Sequence, residues 1–199
     1  MPNRPFKIGI TGGIGSGKTL VSKIFSILGI PVYDADSRAK WISNSHPEVR
    51  SEIIKLFGQE SYLNGILNTR YIAGIVFNDK TKTVLLNNIV HPRVGEDFER
   101  WVNDHKTYPY VLKEAALMFE SDSYKLLDKI IMVSAPLDIR IKRVLCRDPQ
   151  RTELEVRGII DKQLSEEEKL KKANFIIIND DQKMVIPQVV ELDKKFRNN

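Results

Sequence analysis

Cysteine occurs once in the 199 residues, at Cys146, so no disulfide can form within the chain and a reducing compartment is expected. Long hydrophobic runs are missing too. The longest unbroken ones, such as 115–119, cover about a quarter of the ~20 residues that a membrane helix needs, so no membrane association is expected. The opening MPNRPFKIGI holds no apolar stretch of signal-peptide length, and the expected location is cytoplasmic. The chain shows no internal repeat and no low-complexity tract. Neither charge sign dominates: 31 Lys and Arg stand against 26 Asp and Glu, a net charge of +5 that suits an anionic ligand without demanding nucleic acid.

What is present is the composition of an ordinary folded domain. Hydrophobic residues make up 42% and charged residues 29%, which argues against disorder, and the chain is long enough to bury a core without staples. The length fits one domain spanning 1–199. Short apolar runs alternate with helical patterns. Strands are expected over 6–11, from 31–33, and over 108–113, 129–133 and 175–178. Leu20, Val21, Ile24, Phe25 and Leu28 share one face at 3.6 periodicity, so 18–28 reads as a helix with Gly29 as its stop. Strands separated by helices imply right-handed crossovers and a parallel five-stranded sheet with helices on both faces, an α/β fold. The spacing is uneven. Helical patterns at 47–57, 69–76, 81–90 and 94–105 fill about 70 residues between the second and third strands. This reads as a helical insertion at about 40–106, the place for a second substrate. A further charged helical stretch at about 138–172 precedes the last strand.

Gly12-Gly13-Ile14-Gly15-Ser16-Gly17-Lys18-Thr19 fits G-x-x-x-x-G-K-[ST] in full, between a strand and a helix. The chemistry explains the composition. Backbone N–H groups must converge on phosphate oxygens, and a Cβ would obstruct them. The start of the helix adds partial positive charge, Lys18 neutralises the transferring phosphoryl, and the Thr19 hydroxyl is a ligand for Mg²⁺. Leu20 completes the set of candidate nucleotide-binding residues. A nucleoside triphosphate with Mg²⁺ follows; the reaction does not, because this loop serves many chemistries.

The second strand ends in Tyr33-Asp34-Ala35-Asp36, beside the phosphate loop if the sheet is parallel. One carboxylate can take a proton from an acceptor hydroxyl while the other supports Mg²⁺ or caps the next helix. The residues alone do not choose between Asp34 and Asp36.

These stretches resemble the dephospho-coenzyme A kinase family. GITGGIGSGKT and VYDAD are similar to its first two elements. Leu86-Asn87-Asn88-Ile89-Val90-His91-Pro92-Arg93-Val94 is similar to its LN-x-I-x-HP-x-V element, and Glu114 to Glu120 to its D-x-PLLFE element. Arg143-Val144-Leu145-Cys146-Arg147-Asp148 matches R-x-x-x-RD, and Ala173 to Asn179 is similar to AD-x-x-I-x-N. The elements run in family order from Ile8 to Asn179. The resemblance implies a P-loop NTPase fold and transfer of the ATP γ-phosphoryl to the ribose 3′-hydroxyl of dephospho-coenzyme A, the last step of coenzyme A synthesis. It makes Asp36 the general base. It places His91, Pro92, Val94 and Lys40 at the acceptor, with Glu120 at the pocket rim and Asn179 against adenine. Four departures from the family pattern stand out: Thr19-Leu20 replaces Ser-Thr, Ala116 a proline, Lys40 an arginine, and Asn174 an aspartate. His46 and His105 lie outside these elements and read as ordinary surface histidines.

Arg140, Arg143 and Arg147 fall at i, i+3 and i+7, on one helical face. A solvated basic face is the usual meaning of such a stripe. In a phosphoryl-transfer enzyme a closing lid, here about 138–172, can bring a guanidinium to the transition state, with Arg147 the first choice and Arg143 the second. Arg151 is a further candidate for ATP. A nucleoside or nucleotide kinase would share this core and differ in the helical insertion. A GTP-dependent switch would need an N-K-x-D element, and Asn78-Asp79-Lys80 has the wrong order. The expected partner is a small molecule, with no nucleic acid, and the assembly a monomer or small homo-oligomer.

Overall fold

The computed structural model describes residues 4–76 and 79–198. Asn78 of the Asn78-Asp79-Lys80 triplet lies outside them. The chain divides into two compact units, residues 1–34 with 101–199, and residues 35–100.

The first unit is built on strand β1 (Phe6–Thr11), a glycine-rich turn, and helix α1 (Lys18–Ile27), followed by β2 (Val32–Asp34). The second unit holds α2 (Ala35–Ser45), α3 (Pro47–Phe57), the short strands β3 (Tyr62–Leu63) and β4 (Ile66–Leu67), α4 (Thr69–Val76) and most of α5 (Lys80–Asp104). The chain then returns to the first unit with β5 (Tyr110–Glu114), β6 (Lys129–Ser134), α6 (Leu137–Arg147), α7 (Glu153–Asp161), α8 (Glu166–Lys172), β7 (Phe175–Ile178) and α9 (Val185–Arg197).

Five strands form one parallel sheet in the order β2-β5-β1-β6-β7. Because the phosphate loop leaves the central strand β1, it emerges at the carboxyl edge with neighbours on both sides, where open parallel sheets bind ligands. The three inner strands, β5, β1 and β6, are largely apolar and buried because both of their faces are covered. Ile8, Ile10, Tyr110, Leu112, Ile131, Val133 and Ile177 form one buried cluster with Val21 and Phe25 of α1 and Val189 and Phe196 of α9. On the opposite face Gly9 leaves room for Met118 and Leu127, whose side chains occupy the space a Cβ would need. Met118 and Phe119 are accordingly buried, while Leu117 is exposed. The helical face expected for α1 needs one correction. Val21 and Phe25 are buried and Ile24 and Leu28 pack beside them, but Leu20 points away and is 51% exposed.

Two further expectations change in the helical unit. The segment read as two helices, 81–90 and 94–105, is one helix, α5, that runs through Pro92. A proline inside a helix removes a hydrogen bond and costs about 3 kcal/mol. Val90, Val94 and Phe98 follow one another at intervals of four residues and are 8%, 5% and 0% exposed, and burial of three such side chains offsets that cost. Val94 is therefore a core residue of this helix, not an open contact. Tyr62-Leu63-Asn64-Gly65-Ile66-Leu67 makes a two-residue hairpin, with Asn64 at φ 50° and Gly65 at φ 83° as a turn of type I′ requires.

His105 is also more than a surface histidine. Its Nδ1 lies 2.7 Å from the Trp101 carbonyl oxygen, and its ring stacks on Trp101 at 4.2 Å between centroids. His46 is half-buried at the start of α3.

Candidate active site

The phosphate loop turns between β1 and α1 under tight constraint. Gly15 has φ +80° and Gly17 φ +93°, a region in which L side chains are strained. A Cβ on Gly15 would overlap the Arg140 backbone carbonyl, and one on Gly17 would overlap the Asn179 amide. A Cβ on Gly13 would strike the Arg140 guanidinium. The bare backbone thus lets the loop pack on its own supports, a reason beyond the approach of phosphate.

Those supports come from three directions. Arg140 is 5% exposed; its Nε donates to the Ile14 carbonyl at 3.0 Å and its Nη1 to Glu166 Oε2 at 2.8 Å. Glu166 in turn accepts from the Ser134 hydroxyl at the end of β6. The Ile14 N–H donates to Gln163 Oε1 at 3.0 Å. Asn179, just beyond β7, is 7% exposed and donates through Nδ2 to the Ser16 carbonyl at 2.8 Å. Arg143 donates to both the main-chain oxygen and Oδ1 of Asn179, at 3.1 and 3.2 Å, and pairs with Asp181. Both ends of the Asn179 amide are therefore engaged with protein, so its side chain braces the loop in this structure instead of standing open to a base.

On its outer side the loop opens into a pocket of about 170 Å³ lined by Gly15, Gly17, Lys18, Thr19, Arg143, Val144 and Arg147. Gly17 caps the start of helix α1 without a side-chain hydrogen bond, and the positive end of the helix lies beside this pocket. A helix start with a lysine and two arginines fits the phosphate groups of a nucleotide. The Thr19 hydroxyl donates to Glu114 Oε1 at 2.7 Å, and Glu114, at the end of β5, is only 8% exposed. Asp34 is the register partner of Glu114 across β2 and β5. The oxygens of Thr19 and Glu114, with the Asp34 carboxylate one strand away, are of the chemical kind that suits Mg²⁺. No group of three or more His, Cys, Asp or Glu able to hold a metal occurs among the described residues.

The arginine stripe of α6 divides into three roles. Arg140 is buried under the loop, Arg143 is tied to the turn after β7, and Arg147 reaches the pocket rim with its side chain 64% exposed. The Asp148 carboxylate accepts from Arg147 at 3.0 and 2.8 Å and lies 3.4 Å from Arg151. The Arg147 hydrogen bonds hold the Asp148 carboxyl below the usual carboxylate range, and the same pairing raises the Arg147 pKa. Glu120 is turned inward: it accepts from the Leu164 N–H at 2.8 Å and pairs with the buried Lys169 ammonium at 3.0 Å. That places it as a fastener between the turn after β5 and the turn before α8, and not at an open rim.

The remaining candidates lie in the helical unit. Asp36 is exposed in the first turn of α2, where an acidic side chain complements the helix dipole. The strand stops at Asp34, so the two acids belong to different elements and do not share a strand face. Lys40 is exposed on α2, His91 half-buried and Pro92 exposed on α5. Arg38 forms a bidentate pair with Asp97 at 2.8 and 2.7 Å and lies over the Trp41 ring at 4.4 Å.

A family model described as dephospho-CoA kinase matches residues 6–184. A dephospho-CoA kinase from Bacteroides fragilis is 40% identical over 186 residues, covering 94% of this chain and 90% of the relative. The chain belongs to the dephospho-CoA kinase family. Among solved structures, a protein from Thermus thermophilus superposes with a TM-score of 0.83 at 31% identity, covering 96% of both chains. A dephospho-CoA kinase from Campylobacter jejuni gives 0.69 at 25% identity, covering 96% of this chain and 97% of that one. The sheet, loop and flanking helices are those of a P-loop kinase.

Within this family the Asn174 departure has a structural answer. Asn174 Oδ1 accepts from the Ile130 N–H at 2.9 Å, a bond that an aspartate oxygen would make equally well, so the substitution leaves the start of β6 anchored. Sequence reasoning missed four features: the Gln163 contact, the brace role of Arg140, the Glu114 contact with Thr19, and the Arg38–Asp97 pair. Only Glu114 carried a signal, as the acid ending an apolar strand beside the phosphate loop. The other three depend on which side of a helix or turn faces the loop or the next helix.

Proposed function

We propose that the protein transfers the γ-phosphoryl group of ATP to the 3′-hydroxyl of the dephospho-coenzyme A ribose, giving coenzyme A. The observation that carries this reading, together with family membership, is the pocket in which the uncapped start of α1, Lys18 and Arg147 meet the Thr19–Glu114 hydrogen bond. Backbone groups of the loop residues that line the pocket, Gly15, Gly17, Lys18 and Thr19, and the Lys18 ammonium hold the triphosphate. Arg147, with Arg143 behind it, offsets charge that builds on the equatorial oxygens as the phosphoryl moves. Thr19, with Glu114 and Asp34 in support, would hold Mg²⁺, which would neutralise charge on the nucleotide phosphates.

Asp36 accepts the proton of the attacking hydroxyl; the family resemblance supports it over Asp34, which closes β2 beside Glu114. Lys40, His91 and Pro92 read the acceptor, and Val94 holds the helix of His91 and Pro92 from within. The segment 138–172 acts as a lid, and Asn179 and Glu120 serve as braces of the nucleotide side. A cytoplasmic setting suits the exposed Cys146 thiol.

The test is direct. Purified protein with Mg²⁺-ATP should convert dephospho-coenzyme A to its 3′-phosphorylated product. Asp36→Asn should lower kcat by about 10²-fold or more while ATP binding survives, the contribution of a general base. Turnover of a nucleoside but not of dephospho-coenzyme A would sink the reading. A dead Asp34→Asn beside an active Asp36→Asn would reverse the assignment of the base.

A further inference from the structure

We propose that Gln163 is a positioning residue for the phosphoryl donor, acting through Ile14; the inference rests on the kinase reading above. The phosphate loop has two sides. Gly15, Gly17, Lys18 and Thr19 line the pocket. Ile14 is turned away from it, and both polar groups of its backbone are taken by side chains: Gln163 Oε1 accepts its N–H at 3.0 Å and Arg140 Nε donates to its carbonyl at 3.0 Å. The Ser16 N–H is spent inside the loop on the Gly13 carbonyl at 3.1 Å. The loop is thus divided: the N–H groups of Ile14 and Ser16 bond to protein, while Gly15, Gly17, Lys18 and Thr19 line the pocket.

Gln163 is itself delivered by a fixed turn. Its N–H donates to the Ile160 carbonyl at 3.0 Å at the end of α7. The next residue, Leu164, donates its N–H to Glu120 at 2.8 Å, and Glu120 is held by Lys169, whose side chain is 1% exposed. Ser165 then caps α8 by accepting from the Glu168 N–H. A carboxamide on such a turn can keep Ile14 in one orientation. Without an acceptor, the Ile14 N–H would be free to seek one elsewhere, including on the pocket side, and the loop would no longer stand ready for a triphosphate. An amide oxygen does this without setting a negative charge behind a loop that must face anionic phosphates.

The test compares Gln163→Met, which keeps the volume and loses the acceptor, with Gln163→Glu, which keeps an acceptor oxygen. ADP affinity by titration calorimetry needs no turnover, so failure of the wild-type protein to phosphorylate dephospho-coenzyme A would overturn the kinase reading separately. Gln163→Met should weaken ADP binding and raise KM for ATP about tenfold, the size expected for one unpaired loop donor, with KM for dephospho-coenzyme A close to wild type and the melting temperature lowered by only a few degrees. Gln163→Glu should recover part of the lost affinity. Wild-type ADP affinity in Gln163→Met would overturn the proposal. So would equal losses toward ADP and dephospho-coenzyme A with a large fall in melting temperature, or a Gln163→Glu variant as weak as Gln163→Met.

Discussion

Replacing Arg140 by methionine tests whether the buried arginine of α6 belongs to the fold or to the lid chemistry. The side chain is 6% exposed and makes two bonds, to the Ile14 carbonyl at 3.0 Å and to Glu166 at 2.8 Å. Methionine fills much of the same space beneath Gly13 but donates nothing. The Ile14 carbonyl then loses its partner, at about 1–3 kcal/mol. Removing one member of a fully buried ion pair costs about 3–5 kcal/mol, whereas a surface pair is worth about 0–1. Glu166 is 29% exposed and keeps the Ser134 hydroxyl, so its share falls between these limits, at about 1–2 kcal/mol. The sum is about 3 kcal/mol, against a total stability of about 5–15 kcal/mol for a domain, so the variant stays folded and measurable. In urea, with a slope of about 2–3 kcal/mol/M, the midpoint should fall by about 1 M with the slope unchanged. A midpoint within about 0.2 M of wild type would refute the role assigned to Arg140. A lid arginine facing solvent would give that small shift and lose its effect in kcat instead.

Three other measurements bear on neighbouring parts of the argument. Arg147→Ala should lower kcat by about 10³-fold with little change in the urea midpoint, because the side chain is 64% exposed; a kcat near wild type would move the transition-state role to Arg143. Tyr110 is fully buried and donates to Asp193 at 2.6 Å, and burial, more than that bond, pushes its phenol pKa well above the ordinary value near 10. The folded state therefore keeps a proton that the unfolded chain releases, so this stabilisation is complete below pH ~10 and declines by about 1.4 kcal/mol per pH unit above it. Tyr110→Phe should flatten the alkaline fall of the unfolding free energy by that slope, and an identical slope in both proteins would contradict it. Gly17→Ala should be destabilised and weaken ADP binding together, since its φ of +93° is unfavourable and the new Cβ meets the Asn179 amide; an unaffected variant would show that the loop can relax.

The phosphate loop, the five strands and the carboxylates after β2 were legible because each rests on local spacing. A glycine-rich turn between an apolar strand and an amphipathic helix has few other structural meanings, and β-branched runs bounded by helices imply a parallel sheet. The Asn64-Gly65 hairpin was equally legible in principle, since two residues at positive φ carry a recognisable pair of residue types. The course of α5 was not. Proline signals a break, and only burial of Val90, Val94 and Phe98 along one row carries the helix through it.

The sequence by itself determined the chemistry that the loop can hold, the strand from which it leaves, and the helical stripe that carries Arg140, Arg143 and Arg147. Periodicity states which residues share a face, because that follows from the helix geometry alone. Only the tertiary structure decided what each arginine meets: a buried carbonyl, the turn after β7, or the pocket rim. It also decided that Glu120 faces a buried lysine, that the Thr19 hydroxyl bonds Glu114, and that Gln163 takes the Ile14 N–H. Each of these partners lies more than 40 residues away along the chain, where no local rule of spacing applies and packing of the whole sheet sets the distance.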